Sequence, residues 1–291
     1  MTSAMQRYDL GRVGIWSGAP DWSRPEAADV AAELDELGFG ALWLGLSRAD
    51  LAVHERLLAA TSRLTLATGI VNIWTEPSAQ VVGSYHRVVT AYPDRLLLGL
   101  GSGHKVMVEA MTSYTYERPY SALASYVDEL DSAETPVPKE NRVLAALGPR
   151  TLRLAGARSA GAHPYLSTAE HTRTAREILG PEPLLAPELK VVLDADPTRA
   201  RATARAGVGP YLQLPNYTNN LLRLGFSVDD FADGGSDRLI DALVGWGKPD
   251  AVRAKIAEHH DAGADHVCVQ VLSDSAGPPV AGYRALAEAL A

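Results

Sequence analysis

The sequence of 291 residues lacks the features that mark several common protein classes. Its one cysteine, Cys268, cannot form a disulfide within the chain, so a disulfide framework of the secreted kind is excluded. No uncharged apolar run reaches the ~20 residues that span a bilayer, and the N-terminal segment MTSAMQRYDL contains no apolar signal core. These absences predict a soluble, cytoplasmic protein.

Positive charge is scarce relative to negative charge. The formal net charge is −8, which argues against nucleic acid or an anionic membrane as a partner and leaves a small-molecule substrate as the expectation. Charged residues make up 21% of the chain and hydrophobic residues 46%, which is enough apolar material for a large core.

Several motifs of cofactor binding and catalysis are incomplete or missing. The segment GLGSGH at residues 99–104 begins like a dinucleotide fingerprint but lacks its last glycine, and the leucine at position 100 breaks the nucleophile-elbow pattern around Ser102. There is no phosphate-loop lysine motif and no His-Glu-x-x-His motif, and the adjacent His259 and His260 point to different faces of a helix. We therefore predict no metal site.

Short apolar runs alternate with helical patterns along the chain. This alternation predicts parallel strands with helical crossovers, and eight such units predict a single (β/α)8 barrel domain over residues 1–291, with an open doubly wound sheet as the alternative. Residues 210–237 break the rhythm near strand seven and are interpreted as a lid-like insertion. The predicted strands are residues 13–16, 41–45, 64–70, 96–100, 143–147, 160–166, 188–194 and 266–272.

Two strand-turn units give the strongest indication of a ligand site. Residues 64–74 are LTLATGIVNIW and residues 95–104 are RLLLGLGSGH, and each run stops at glycine or small polar residues before a helix. The carboxyl edges of parallel strands are where ligands bind in such folds. His104 follows three closely spaced glycines and is the candidate catalytic residue, because imidazole titrates near neutral pH and can donate a proton.

Five segments together resemble the bacterial luciferase-like superfamily, and within it the oxidoreductases that use the deazaflavin coenzyme F420. The segments are WSG after strand one, GFGALWLG, LTLATGIVNIW, AYPDRLLLGLGSGH and LAALGPRTLRLAGARSAGAHPYL. The resemblance covers nearly the whole chain and implies a luciferase-like TIM barrel with an insertion near strand seven, assembled as a homodimer. It further implies hydride transfer to or from a deazaflavin ring at the carboxyl edge of the barrel.

The same resemblance implies which residues hold the cofactor. A cis peptide bond between Gly69 and Ile70 is expected to form a bulge behind the ring, and a phosphate is expected at the helix N-termini after strands five and six. The implied cofactor-binding residues are Gly69, Ile70, Val71, Asn72, Ser102, Gly103, Gly148, Pro149, Arg150, Tyr165, Ser167 and Thr168. The predicted substrate pocket comprises Trp16, Ser47, Trp74, His163 and Tyr217.

The chain departs from the family pattern at two points. Many relatives have an acid after strand two, where this chain has Leu46, Ser47 and Arg48, and His104 stands where some relatives have an acid. The proton donor therefore cannot be transferred by resemblance. We expect an oxidoreductase that moves a hydride between F420 and a small, apolar carbonyl, alcohol or enone. An FMN-dependent monooxygenase and a non-catalytic barrel that binds a flavin-like ligand are the alternatives.

Overall fold

The computed structural model describes residues 4–18, 22–273 and 277–291, which form helices around an eleven-stranded sheet. The strands are β1 (Val13–Gly18), β2 (Ala41–Gly45), β3 (Thr65–Thr68), β4 (Val71–Asn72), β5 (Leu96–Gly101), β6 (Arg142–Leu144), β7 (Gly161–Ala162), β8 (Leu184–Leu185), β9 (Glu188–Val192), β10 (Val244–Trp246) and β11 (Val267–Val271). The α-helices are α1 (Ala4–Tyr8), α2 (Ala27–Glu36), α3 (Ala52–Ala59), α4 (Ser78–Ala91), α5 (Lys105–Met111), α6 (Pro119–Ser132), α7 (Pro149–Arg158), α8 (Ala169–Leu179), α9 (Pro197–Val208), α10 (Pro215–Arg223), α11 (Asp237–Leu243), α12 (Pro249–Asp261) and α13 (Val280–Leu290).

The sheet closes into a barrel of eight parallel strands. Its order is β10-β9-β11-β1-β2-β3-β5-β6-β7-β8, and β4 pairs with β5. The short strands β8 and β9 are two halves of the seventh barrel strand: the first half pairs with β7 and the second with β11. The backbone N–H of Glu188 also donates to the carbonyl oxygen of Pro164 at 2.8 Å, which links β9 to the segment after β7. The predicted (β/α)8 barrel is confirmed.

Alternate residues of the strands face the barrel interior, as the twofold repeat of a strand requires. The inward residues form one apolar cluster that includes Trp16, Trp43, Leu97 and Cys268, whereas the outward residues pack beneath the helices in a larger cluster. Trp43 and Cys268 are fully buried. Because parallel strands are covered on both faces, they are near-continuous apolar runs in the sequence.

The structure differs from the sequence prediction in two strands. The sixth predicted strand, residues 160–166, is reduced to the two residues of β7, because Pro164 cannot donate to a ladder. The sequence pattern also predicts a helix at residues 238–244; the helix ends at Leu243, and the short strand β10 that follows it is not predicted.

The sequence predicts capping boxes at Ser23–Glu26 and at Ser167–Glu170, and both are wrong in detail. Helix α8 is capped by Thr168, whose side chain accepts a hydrogen bond from the His171 N–H, and not by Ser167 as predicted. Helix α2 begins at Ala27 and is preceded by Glu26, which makes no capping hydrogen bond through its side chain.

Residues 210–237, predicted as an insertion, fold into short helical elements. These are the 3-10 turn Gly209–Gln213, helix α10 and the 3-10 turn Val228–Gly234. Together with α9 and α11 they enclose a second small core, which reaches Leu166 after β7 and Val192 at the end of β9. The insertion therefore packs on the carboxyl end of the barrel. Within the described ranges, no helix is long and apolar enough to cross a membrane.

Candidate active site

A bulge interrupts the third barrel strand at its carboxyl end. The pairing with β5 slips by one residue between β3 and β4, so the β3–β4 side carries one residue more than its partner. The Gly69–Ile70 peptide bond inside this bulge is cis, as the resemblance implied. The carbonyl oxygen of Ile70 accepts a hydrogen bond from the Ser47 N–H at 3.2 Å, which ties the bulge to the loop after β2.

Glycines of β5 and its following loop leave room for the bulge. A methyl group at Gly99 would overlap a carbonyl oxygen of β3, and one at Gly101 would lie 3.0 Å from Cγ1 of Ile70. Gly103 has a φ of +59°, and a methyl group there would overlap the amide of Asn72. The predicted ring-binding residues of these two segments therefore do lie against each other.

Trp16 occupies the barrel interior against Gly45 and Gly69. A methyl group at Gly69 would lie 2.7 Å from its indole nitrogen, and one at Gly45 would overlap its ring. The ring centroid of Trp16 lies 4.9 Å from that of Tyr165, and the side chain is 8% exposed. The carboxyl half of the barrel thus has two unlike sides. We call them the glycine side (Gly45, Gly69, Gly99 and Gly101) and the aromatic side (Trp16, Tyr165, Tyr211 and Tyr217).

His163 lies deeper in the interior, where its ring stacks on Trp43 at a centroid distance of 4.4 Å. Its Nδ1 is 2.7 Å from the carbonyl oxygen of Ala186, and because a carbonyl only accepts, Nδ1 carries the proton and Nε2 is an acceptor. Burial lowers the pKa of His163 to about 4, so the ring is neutral at pH 7. His163, which was predicted for the substrate pocket, is therefore a core side chain whose Nε2 can accept a hydrogen bond.

His104 directly precedes α5 and is held by the insertion. Its Nδ1 lies 3.2 Å from Oδ1 of Asn216, and its Nε2 lies 3.4 Å from the hydroxyl of Tyr217. The amide oxygen only accepts, so Nδ1 carries the proton and the Tyr217 hydroxyl donates to Nε2. Burial lowers the pKa of His104, and the hydrogen bond to Asn216 opposes that shift. The half-buried imidazole is thus a neutral group that can accept or relay a proton.

The sequence analysis missed a buried ion pair on β9. Nζ of Lys190 lies 2.9 Å from Oε1 of Glu188, and both side chains are 1% exposed. A signal was present, since a glutamate and a lysine two residues apart on a strand share one face, and in a barrel that face can be the interior. Nζ also lies 3.9 Å from the ring centroid of Tyr165 and 5.0 Å from that of Tyr211.

Trp74 and Ser102 border the carboxyl end next to the segment between α5 and α6. The ring of Trp74 lies 5.4 Å from that of Tyr116, whose hydroxyl donates to the carbonyl oxygen of Gly103 at 3.2 Å. Tyr116 was missed because its segment gave only the signal of a helix break. Ser47, predicted for the pocket, is buried and donates its hydroxyl to a backbone carbonyl of β2 at 2.6 Å.

Two helix N-termini adjoin at the loops after β6 and β7. Gly148 precedes α7, Thr168 precedes α8, and the two helices are neighbours. The N–H groups in the first turn of a helix have no intrahelical partner and favour an anion. Arg150, predicted for this site, is exposed, and its guanidinium lies 4.3 Å from the ring centroid of Tyr120.

Four buried polar atoms, two next to Gly69 and two at the start of α8, have no hydrogen-bond partner within the described residues. They are Nε1 of Trp16, Nε2 of His163, Oγ of Ser167 and Nδ1 of His171. The two ring nitrogens adjoin Gly69, and the other two atoms belong to the start of α8. Buried polar groups are paired in the great majority of cases, so these atoms are candidate contacts for a polar ligand. A tricyclic flavin-like ring has donors and acceptors for the first pair, and Oγ of Ser167 can donate to a phosphate-bearing tail. Nδ1 of His171 is an acceptor, because Nε2 donates to the carbonyl oxygen of Leu147, so this atom does not suit an anion.

Solved structures of known proteins share this fold. An F420-dependent secondary alcohol dehydrogenase in complex with an F420–acetone adduct superposes with a TM-score of 0.74 at 15% identity, over 96% of this chain and 97% of the other. The coenzyme F420-dependent tetrahydromethanopterin reductase from Methanopyrus kandleri gives 0.73 at 18% identity, over 94% and 96%.

A flavin enzyme also has this fold. The oxygenating constituent of 3,6-diketocamphane monooxygenase from Pseudomonas putida, a type II Baeyer-Villiger monooxygenase in complex with FMN, gives a TM-score of 0.68 at 14% identity, over 95% of both chains. No curated protein matches the chain in sequence. The family model described as luciferase-like monooxygenase matches residues 7–266, which is most of the chain, and the protein therefore belongs to that family.

Proposed function

We propose that the protein is an F420-dependent oxidoreductase that transfers a hydride between the deazaflavin and a small, uncharged carbonyl, alcohol or enone. The observation that carries the proposal is a set of buried polar atoms without partners within the described residues, which extends from Trp16 and His163, beside Gly69, to Ser167. The bound deazaflavin supplies the hydride chemistry, while the protein supplies orientation, exclusion of water and a proton route.

Different residues of the protein bind the ring and the phosphate of the cofactor. Ile70, Val71 and Asn72 form the wall behind the ring, and the absence of side chains at Gly101 and Gly103 leaves room for Ile70 and Asn72 in that wall. At the other end, the phosphate is held by the first turns of α7 and α8 and by the hydroxyl of Ser167, which has no partner in the part of the chain that the structure describes.

The aromatic side favours an uncharged, apolar substrate. Its cation, Lys190, is already paired with Glu188, and the side chains that face the carboxyl end are largely rings. Oη of Tyr217 holds a proton next to the acceptor Nε2 of His104. Tyr217 can therefore donate to a substrate oxygen that gains negative charge. His104, held by Asn216, can move a proton to or from that hydroxyl.

The role of the insertion and the oligomeric state belong to the same proposal. Because Asn216 and Tyr217 of residues 210–237 contact His104, the insertion acts as a lid over the substrate end. The homodimer implied by the family resemblance is checked by light scattering of the purified chain.

Ligand titration tests the cofactor. The purified chain is titrated with F420, with FMN and with a deazaflavin that lacks the phosphate-bearing tail, and fluorescence and melting temperature are recorded. We expect F420 to bind at least tenfold more tightly than either of the other two. Tighter binding of FMN, together with flavin-dependent oxygen consumption, would favour the monooxygenase alternative. Binding of none of the three would overturn the proposal.

Turnover separates the enzyme from a non-catalytic barrel. Reduced F420 is mixed with a panel of small ketones, aldehydes and enones, and oxidised F420 with alcohols, while the absorbance of the cofactor is followed. We expect turnover with an uncharged member of the panel and its loss in Tyr217→Phe at unchanged F420 affinity. Tight binding without turnover across the panel would support a binding protein.

A further inference from the structure

The buried pair of Glu188 and Lys190 needs an explanation beyond stability. Both side chains are 1% exposed, and burying two charges costs desolvation energy that their mutual attraction often fails to repay. Burial lowers the pKa of Lys190, an effect that Glu188 opposes. Oε2 of Glu188 is also committed, because it accepts the N–H of Leu166 at 3.0 Å. The pair is therefore fully engaged with protein atoms.

The Glu188–Lys190 pair determines which groups donate and which accept in a neighbouring hydrogen-bond network. Nζ of Lys190 lies 3.1 Å from Oε1 of Gln270, and since ammonium only donates, the amide oxygen must face the lysine. The hydroxyl of Tyr165 lies 3.0 Å from the same oxygen and 2.9 Å from the hydroxyl of Tyr211. Tyr165 has one proton and gives it to Gln270, so Tyr211 donates to Tyr165.

This direction links the barrel to the insertion. Tyr211 belongs to the 3-10 turn Gly209–Gln213, and its ring meets that of Tyr217 edge-on at 5.5 Å. Tyr217 in turn contacts His104. A cation beneath the rings of Tyr165 and Tyr211 adds a further attraction, because ammonium groups are drawn to aromatic faces.

We propose that Lys190, balanced by Glu188, is a positioning residue that holds the insertion over the carboxyl end of the barrel through Tyr165 and Tyr211. Its effect on docking of the insertion is independent of the cofactor. Its effect on substrate binding rests on the proposed function, because the docked insertion places Tyr217 beside the reacting atoms.

A double variant separates this role from simple folding. Lys190→Met alone would leave Glu188 buried without its partner, so Glu188→Gln/Lys190→Met is used. The glutamine keeps an acceptor for the Leu166 N–H, and neither substituted position carries a charge. The control is Asp194→Asn/Arg199→Met, which removes an exposed ion pair just beyond the same strand.

Hydrogen exchange of the cofactor-free protein is the first measurement. We expect amides of residues 209–223 to exchange at least tenfold faster in the double variant, while β1, β2 and β5 exchange as in the unmodified protein and in the control. Unchanged exchange at residues 209–223 would overturn the proposal. Faster exchange throughout the barrel would also overturn it, because it would show a purely structural role.

Kinetics with F420 give the second measurement. We expect the substrate KM of the double variant to rise at least tenfold, with the F420 dissociation constant unchanged. If exchange at residues 209–223 becomes faster while the substrate KM does not change, docking of the insertion by Lys190 does not contribute to substrate binding. If F420 does not bind the unmodified protein, the proposed function fails, whereas the exchange result still decides whether Lys190 docks the insertion.

Discussion

Gly101→Ala adds one methyl group to the glycine side. Gly101 does not have a positive φ, so alanine strains no backbone angle, but its methyl group would lie 3.0 Å from both Cβ of Ala145 and Cγ1 of Ile70. Carbon atoms prefer ~3.5–4 Å, so the neighbours must move by several tenths of an ångström. Overpacking of this kind costs roughly 1–3 kcal/mol. The smaller entropy of the unfolded alanine chain offsets about 0.4–1 kcal/mol of that cost.

The same methyl group presses on Ile70, the proposed wall behind the cofactor ring. We therefore expect Gly101→Ala to weaken F420 binding at least tenfold, which corresponds to about 1.4 kcal/mol. Urea unfolding and fluorescence titration measure the two effects separately. The matched control is Gly83→Ala, at an exposed helix position with nothing within 4 Å of the added methyl group. Removing a glycine from a helix should stabilise the control by up to about 1 kcal/mol without changing F420 affinity. Wild-type affinity in a destabilised Gly101→Ala variant would refute the placement of the ring beside Ile70.

Three further predictions concern titration and the proposed phosphate end. Because burial lowers the pKa of His104, we expect the pH profile of kcat/KM to stay on its plateau down to below pH 6.5. Asn216→Ala removes the hydrogen bond that opposes this shift, so the acid limb of the profile should move to still lower pH. An acid limb that does not move would exclude His104 as its source. Ser167→Ala removes a buried hydroxyl without a partner among the described residues, so urea unfolding should show the cofactor-free protein unchanged or about 1 kcal/mol more stable. Titration should show weaker F420 binding, and equal affinity would place the phosphate elsewhere. Four of the five buried histidines have pKa values that burial lowers to about 4 or below. Below pH 6.5 the unfolded chain therefore binds protons that the folded chain does not, and the free energy of unfolding should fall by several kcal/mol between pH 7.5 and 5. These four histidines are His54, His163 and His266, at about 4, and His259, at about 3. Stability that is constant across this window would contradict the burial of these neutral rings.

The order of strands and helices could be predicted because local chemistry determines most of it. Apolar runs covered on both faces, such as β2 and β5, are buried throughout, and proline or glycine bounds many of the helices. β10 could not be predicted, since its three residues become a strand only by pairing with β9. The cap of α8 is Thr168, one residue after the predicted Ser167, because neighbouring hydroxyls give the same local signal and tertiary geometry selects between them.

The candidate site was predictable where it depends on single strand ends and not where it depends on distant contacts. The segments at Gly69 and Gly103 follow from runs that stop at glycine, and the structure places them side by side. Nothing local connects His104 with Asn216, which is 112 residues away, because that contact depends on how the insertion packs. Lys190 is the intermediate case, since its inward direction follows from strand alternation but its aromatic contacts do not.

The glycine side and the aromatic side of the barrel should affect different properties, namely cofactor affinity and substrate preference. The four glycines of the glycine side have no side chains, and the space that side chains would fill is taken by Trp16, Ile70 and the backbone of β3. This side therefore has few side-chain groups of its own that could distinguish one substrate from another. The aromatic side offers hydroxyls whose proton directions are set by donor-only Lys190 and acceptor-only amide oxygens. Substitutions on the glycine side should therefore change cofactor affinity for every substrate alike. We expect substitutions at Tyr211 to change the relative kcat/KM values across a substrate panel, because the proposed substrate lies on the aromatic side, whereas Tyr217→Phe should lower the turnover of every member.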